Sequence, residues 1–330
     1  MNATAAGILL LVMAGAMNGS FTLPMKFTRK WAWENTWLAW TIFALAVFPV
    51  LLTWLTVPRL GDVYAQAGVA PIAVAAACGA AWGAAQACFG LAVDAVGIAL
   101  AFSVTLGTSA VVGALVPLFT EQAPFSTKGL ETIGGVALVT LGVLVCAWAG
   151  HAREAARGEG PKGKSSLGKG LLFCAFSGFG SALVGLGLRY SAKLADTAQQ
   201  FGADPTWKNN AAWLPLMLAG GIPNLIYCLY LLSRNHTGAR FKTGGTGVYW
   251  LLSAIMAFFW FASTLLYGIA YNLLGVVAWP AFMSLIVITA MVWGVVTGEW
   301  KGSGAKPLQV MYSGLGVLVL AIVVLSMAKS

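Results

Sequence analysis

The chain has 330 residues, of which 59% are hydrophobic and 9% charged, against about a quarter charged in an ordinary soluble domain. That composition excludes a soluble enzyme or binding module and places the chain in a membrane. The formal net charge of +9 would admit a nucleic-acid partner, but the basic residues gather in loops on one side of the layout described next, which points to the bilayer and away from nucleic acid.

Ten apolar stretches of bilayer-spanning length follow one another at roughly 4–25, 36–57, 71–93, 97–120, 129–150, 169–188, 211–232, 248–271, 274–297 and 307–328. They are continuously apolar and do not alternate every second residue, so the reading is an all-α integral membrane protein and not a barrel. Met1 to Thr4 carries no Lys or Arg, so the first stretch is expected to stay as a helix and not to be removed as a signal. In the seventh and ninth stretches Pro215, Pro223 and Trp279-Pro280 are expected to interrupt the helix.

Cys78, Cys88, Cys146, Cys174 and Cys228 all fall inside the spans at no metal-ligand spacing. They read as small packing residues, with no disulfide, metal or cofactor expected. The sequence holds no histidine pair, nucleophile elbow or mid-membrane aspartate pair of the kind hydrolytic enzymes use, so the chain is not expected to be an enzyme.

Thirteen of the nineteen Lys and Arg fall in the odd-numbered loops: Lys26, Arg29, Lys30, Arg153, Arg157, Lys162, Lys164, Lys169, Arg234, Arg240, Lys242, Lys301 and Lys306. The other side holds Arg59, Lys128, Arg189, Lys193, Lys208 and Lys329. The excess places the odd loops in the cytoplasm and both termini outside.

Five spans precede the long polar segment and five follow it. The domains are therefore 1–150, a first five-helix repeat; 151–169, a cytoplasmic linker; and 170–330, a second five-helix repeat. An odd number of crossings per half turns the second half upside down. Faint echoes agree: a shift of 178 lays Trp82, Gly90, Asp94, Gly97 and Glu121 onto Trp260, Gly268, Asn272, Gly275 and Glu299. A shift of 163 lays Gly7, Gly15, Lys26, Phe27 and Lys30 onto Gly170, Gly178, Arg189, Tyr190 and Lys193. Inverted repeats of this kind are frequent in secondary transporters, which hold substrate near the midplane. Within the linker, Gly158 to Ser165 imitates a phosphate-binding loop, but it follows a membrane helix where the real motif follows a strand, so it reads as a flexible cationic connector.

Polar and aromatic residues inside spans are the candidates for solute binding. Trp82 and Gln86 share one face of the third span; Trp260, Thr264 and Tyr267 share the corresponding face of the eighth. The two faces are expected to meet, each offering a flat ring and a hydrogen-bonding group, which suits a sugar with its apolar face and rim of hydroxyls. Asn18 in the first span adds an amide that is expected to point inward. For coupling to an ion, no acidic residue sits at the centre of a span. Glu34, Asp94, Glu121 and Glu299 at span ends, and Lys26 on its long stem, are the candidates, with interfacial anchoring as their plainer role.

Lys26-Phe-Thr-Arg-Lys30-Trp31-Ala-Trp33-Glu34, Gly79-Ala-Ala-Trp82-Gly83 with Phe89-Gly90-Leu91, Gly202-Ala-Asp204-Pro205, and Glu299-Trp300 together resemble the L-rhamnose–proton symporter family of the drug/metabolite transporter superfamily. The resemblance implies ten transmembrane helices in two inverted five-helix repeats. It also implies proton-coupled uptake of L-rhamnose or a related deoxysugar across the bacterial inner membrane, with the sugar, protons and the lipid bilayer as partners. An exporter or facilitator of another small metabolite in the same superfamily is the alternative.

Overall fold

The computed structural model describes residues 3–96, 98–121, 125–156, 158 and 167–329. Gly97 and residues 159–166 of the phosphate-loop-like stretch lie outside the described residues, as do the side chains of Asp94 and Glu121. Among the described residues there is no strand, and ten long helices account for most of the chain: α1 (Ala3–Ser20), α2 (Trp33–Thr56), α3 (Val69–Val96), α4 (Ile98–Glu121), α5 (Thr127–Ala156), α6 (Leu167–Tyr190), α7 (Asn210–Arg234), α8 (Gly247–Leu274), α9 (Ala278–Val296) and α10 (Ala305–Lys329). Eight segments among the described residues are long and apolar enough to cross a membrane. One of them, Gly247–Val296, contains both α8 and α9, and α4 contributes the shorter apolar stretch Val104–Val116. Trp54, Leu55, Val69 and Trp148 stand largely exposed, which suits a surface facing hydrocarbon and not water.

Prolines act differently from the expectation. α7 runs unbroken through Pro215 and Pro223. Pro215 has no N–H for the Ala211 carbonyl, and the Tyr64 hydroxyl donates to that oxygen instead at 3.0 Å. Pro280 sits in the first turn of α9, where a missing N–H costs nothing. The break lies just before it, at Gly275 (φ 69°) and the single 3₁₀ turn Gly275–Val277. The sequence reading missed a wide turn in α2. Phe43–Val47 is a π-helix, and Pro49 follows it. Its ring would collide with the Leu45 carbonyl in a regular helix, and the wider turn relieves that clash.

The chain forms two compact units, and the division falls at the end of α1 and inside α3, α6 and α8. The first unit comprises Met1–Ser20, Cys88–Ala182 and Ser263–Ser330. In it α5 and α10 pack antiparallel, with Gly135 against Leu325, Gly142 against Leu318 and Gly314 against Cys146. Each glycine leaves room for the facing side chain to lie directly against its helix backbone. α1 runs parallel to α9, with Gly7 against Leu274 at the end of α8, then Gly15 against Leu285 and Gly19 against Thr289. α6 repeats this on α4, with Gly170 against Val96 at the end of α3 and Gly178 against Thr105 and Thr108. The Thr105 hydroxyl also donates to the Cys174 carbonyl at 3.3 Å.

The second unit comprises Phe21–Ala87 and Leu183–Ala262. Here α2 and α7 are antiparallel: Trp37 reaches Asn224, Leu45 lies against Gly221, and the Thr53 hydroxyl donates to the Asn210 carbonyl at 3.1 Å. α3 runs parallel to α7 through two backbone contacts, Gly79 on Leu216 and Gly83 on Gly220. Within each unit the pairs named are parallel for odd with odd and for α4 with α6, and antiparallel for α5 with α10 and α2 with α7.

Candidate substrate site

The π-turn of α2 lies just beyond its most aromatic face. Trp33, Trp37 and Trp40 recur at intervals of four and three and therefore share one side of the helix. Trp33 stacks on Trp37 with ring centroids 5.1 Å apart and 17° between planes, and Trp37 meets Trp40 at 4.5 Å and 31°. Trp40 meets Trp260 of α8 edge-on at 5.3 Å and 78°, and Trp260 lies parallel to Trp82 of α3 at 5.6 Å and 13°. Five tryptophans of the second unit thus form a continuous series. Trp33 at one end is 40% exposed and Trp82 at the other 5%; between them Trp40 is buried while Trp37 and Trp260 are half-buried.

Two of the five, Trp82 and Trp260, belong to the sequence-derived set, and the structure brings them into direct contact. Trp82 is also backed by α7, its Cε3 and Cζ3 lying where a side chain at Gly220 would be. Trp260 is only half-buried. Gln86 follows Trp82 by one helical turn; it is half-buried and has no hydrogen-bond partner among the described residues. Trp37 and Trp40 escaped the sequence reading, although their spacing with Trp33 was a usable signal. The Trp37 indole donates to Asn224 Oδ1 at 3.3 Å, and Asn224 donates to the Gly220 carbonyl at 3.1 Å.

Asn18, Thr264 and Tyr267 belong to the first unit. The Asn18 amide donates to the hydroxyl of Ser263 at 2.8 Å, so its nitrogen has a partner on α8. Two residues on, the Ser20 hydroxyl accepts the Trp293 indole N–H at 2.7 Å. Thr264 is buried. Tyr267 is buried between two rings, stacked on Phe282 at 5.1 Å and 19° and edge-on to Trp279 at 5.1 Å and 71°. Trp279 in turn donates to the Ser109 carbonyl at 2.9 Å. The described residues also frame a groove of about 400 Å³ between α4 and α5, lined by Val111, Leu115, Val136 and Leu144. Its walls are almost wholly apolar, so it offers a sugar nothing to bond.

Of the ionisable candidates, Glu34 is 4% exposed. It accepts a hydrogen bond from Thr237 at 2.6 Å and another from Asn235 at 3.1 Å. His236 between them has φ 54°, a left-handed turn that aims both neighbours at the same carboxylate. The loop is held at further points, by Lys30 on the Gly244 carbonyl at 2.8 Å, by Asn35 on the Thr237 carbonyl at 3.1 Å, and by the Trp31 ring wedged edge-on against Phe241, Tyr249 and Trp250. Glu299 pairs with Arg153 of α5 at 3.3 Å, and Arg153 also lies over the Trp300 ring, 5.2 Å from its centre. Lys26 is exposed.

Gly202 takes φ 94°, and Asp204 closes the turn after it by accepting the Thr206 backbone N–H at 2.8 Å. That bond holds the Asp204 carboxyl below the usual aspartate range. The short motifs singled out in the sequence therefore build turns, interhelical contacts and loop anchors.

The long apolar helices, exposed apolar residues and buried polar bonds between helices define a multi-pass membrane protein. Residues 1–329 match the family described as L-rhamnose-proton symport protein (RhaT), and the chain belongs to that transporter family. Its relatives include the L-rhamnose-proton symporter of Mannheimia succiniciproducens, 28% identical over 326 residues and covering 94% of both chains. That of Citrobacter koseri is 24% identical over 342 aligned positions, covering 100% of this chain and 99% of the relative.

Proposed function

We propose that this protein carries L-rhamnose or a related deoxysugar into a bacterial cell together with protons, by alternating access. The observation that carries this reading is the match to the symporter family over residues 1–329. The stacked Trp82 and Trp260 supply the flat apolar surface a deoxysugar ring needs, with Gln86 as a nearby hydrogen-bonding group. Asn18, Thr264 and Tyr267, which belong to the first unit, are held as sugar-binding residues on their polar or aromatic character inside spans. Two bacterial relatives bearing the symporter name, and the excess of Lys and Arg in the odd loops, support an inner-membrane location with both termini outside.

Residues 1–150 and 170–330 act as inverted repeats joined by the linker 151–169. The contacts inside the first unit support this. Gly7 meets Leu274 and Gly170 meets Val96; the two glycines are related by the shift of 163 and their partners by the shift of 178. In the α5–α10 pair, Gly142 on Leu318 is exchanged for Cys146 on Gly314, the reciprocity a two-fold axis demands.

The proton is assigned first to Glu34, the buried one among the candidates whose side chains are described. Protonation weakens the charge-assisted bonds from Thr237 and Asn235 and so loosens the loop they belong to. Lys26, Asp94, Glu121 and Glu299 are held in second rank. Adding L-rhamnose to energy-depleted cells that express the protein tests the symport: the medium is expected to turn alkaline as sugar enters. Measurable rhamnose entry with no pH change would remove the proton from the account.

A further inference from the structure

The symport reading names no residue of α2 that touches sugar, yet α2 supplies three of the five rings in the tryptophan series. Along that series each ring lies 4.5–5.6 Å from the next, centre to centre. It begins at Trp33, beside the charged residues Lys30 and Glu34 at the start of α2, and ends at Trp82, inside α3. Simple packing explains a pair of rings well. It explains less readily a continuous file that starts 40% exposed at the helix end, keeps open surface again at the half-buried Trp260 and ends buried in α3.

One ring in the file has an unmet hydrogen-bonding group. Trp40 is 2% exposed, and among the described residues no acceptor lies within reach of its indole nitrogen. A buried N–H without a partner costs on the order of 1–3 kcal/mol; the Trp31 indole is another such group, packed in the loop anchor, and Trp40 is the one that lies in the file. Trp37, its neighbour in the file, shows the ordinary solution by donating to Asn224. Trp40 lies between Trp37 and the half-buried Trp260, with its plane nearly perpendicular to that of Trp260. A hexose lying on Trp260 would bring its rim of hydroxyls toward that neighbour.

Resting on the symport reading, we propose that the tryptophan file is the sugar's track through the second unit, and that the Trp40 indole N–H donates to one hydroxyl of the bound sugar. Aromatic faces hold the apolar side of the ring without demanding one position, which lets the sugar advance from ring to ring. The single N–H fixes its register next to Trp260. Trp33 is the outermost step and governs passage more than binding.

The test uses the full chain in cells and pairs Trp40→Phe, which keeps a ring and removes the N–H, with a panel of rhamnose analogues each lacking one hydroxyl. For the unmodified protein, one analogue is expected to show a KM about tenfold higher than rhamnose, the size of one lost hydrogen bond. Trp40→Phe is expected to raise the KM for rhamnose by the same factor and to make no distinction between rhamnose and that analogue. A purely structural Trp40 would shift every substrate alike, and that result overturns the proposal, as does an unchanged KM. Should Trp40→Phe fail to reach the membrane, Trp33→Ala at the exposed end decides: a severalfold fall in maximal rate at unchanged KM is expected, and a normal rate overturns the track. Because the unmodified protein transports rhamnose in either case, these outcomes are distinct from failure of the symport reading.

Discussion

Trp260 lies parallel to Trp82, 5.6 Å away, and the two positions are 178 residues apart, the same interval that relates other echoes between the halves. Trp82 is buried against α7 while Trp260 keeps part of its surface, so their substitutions separate. Trp260→Ala is expected to raise the KM for rhamnose about thirtyfold, as loss of an aromatic anchor does, with normal amounts of protein in the membrane. Trp82→Ala is expected to lower the melting temperature in detergent as well, because it leaves a void beside Gly220. Uptake assays normalised to membrane protein, with thermal melts of the purified variants, check both.

The interhelical glycines differ in what they face. A methyl group at Gly83 would lie 2.9 Å from the Gly220 carbonyl carbon and 3.0 Å from its Cα, which are backbone atoms that cannot turn aside. A methyl group at Gly7 would meet only the side-chain end of Leu274, at 2.6 Å from Cγ. Gly83→Ala is therefore expected to cut the yield of folded protein severalfold, and Gly7→Ala to be tolerated. Size-exclusion profiles of the two variants, extracted in the same detergent, read the difference.

Gly314 faces the sulfur of Cys146 across the antiparallel α5–α10 pair. In Gly314→Cys, mild oxidation is expected to join α5 to α10. After a protease site placed in the linker 151–169 is cut, the two fragments are expected to run together on a non-reducing gel and to separate on a reducing one. Fragments that separate under both conditions would contradict the packing.

Glu34→Gln keeps the shape of the buried carboxylate and removes its titration. If Glu34 carries the proton, the variant is expected to exchange labelled for unlabelled rhamnose at a near-normal rate while losing the alkalinisation that accompanies uptake. Glu34→Ala is expected to lose stability as well, since Thr237 and Asn235 are left without their shared acceptor.

The spans could be read from sequence because apolar length is a direct consequence of bilayer thickness, and the structure places helices at all ten. The contact of Trp82 with Trp260 was legible too, through the echo between the halves. For Trp37 and Trp40 the spacing with Trp33 is the one signal, and it leaves their role open because in an apolar span a tryptophan facing lipid and one facing protein look alike. The Glu34 clamp joins residues about 200 apart and rests on a left-handed turn at His236, a conformation that histidine adopts only occasionally. Unbroken passage of α7 through Pro215 was also out of reach, because it depends on a hydroxyl donated from Tyr64.

The most direct test of the account is accumulation of labelled L-rhamnose in liposomes that contain only this protein. With the outside made acidic relative to the inside, the account predicts that internal rhamnose rises above the external concentration and falls back when a protonophore collapses the gradient. Equilibration to equal concentrations, unaffected by the pH gradient, would contradict it.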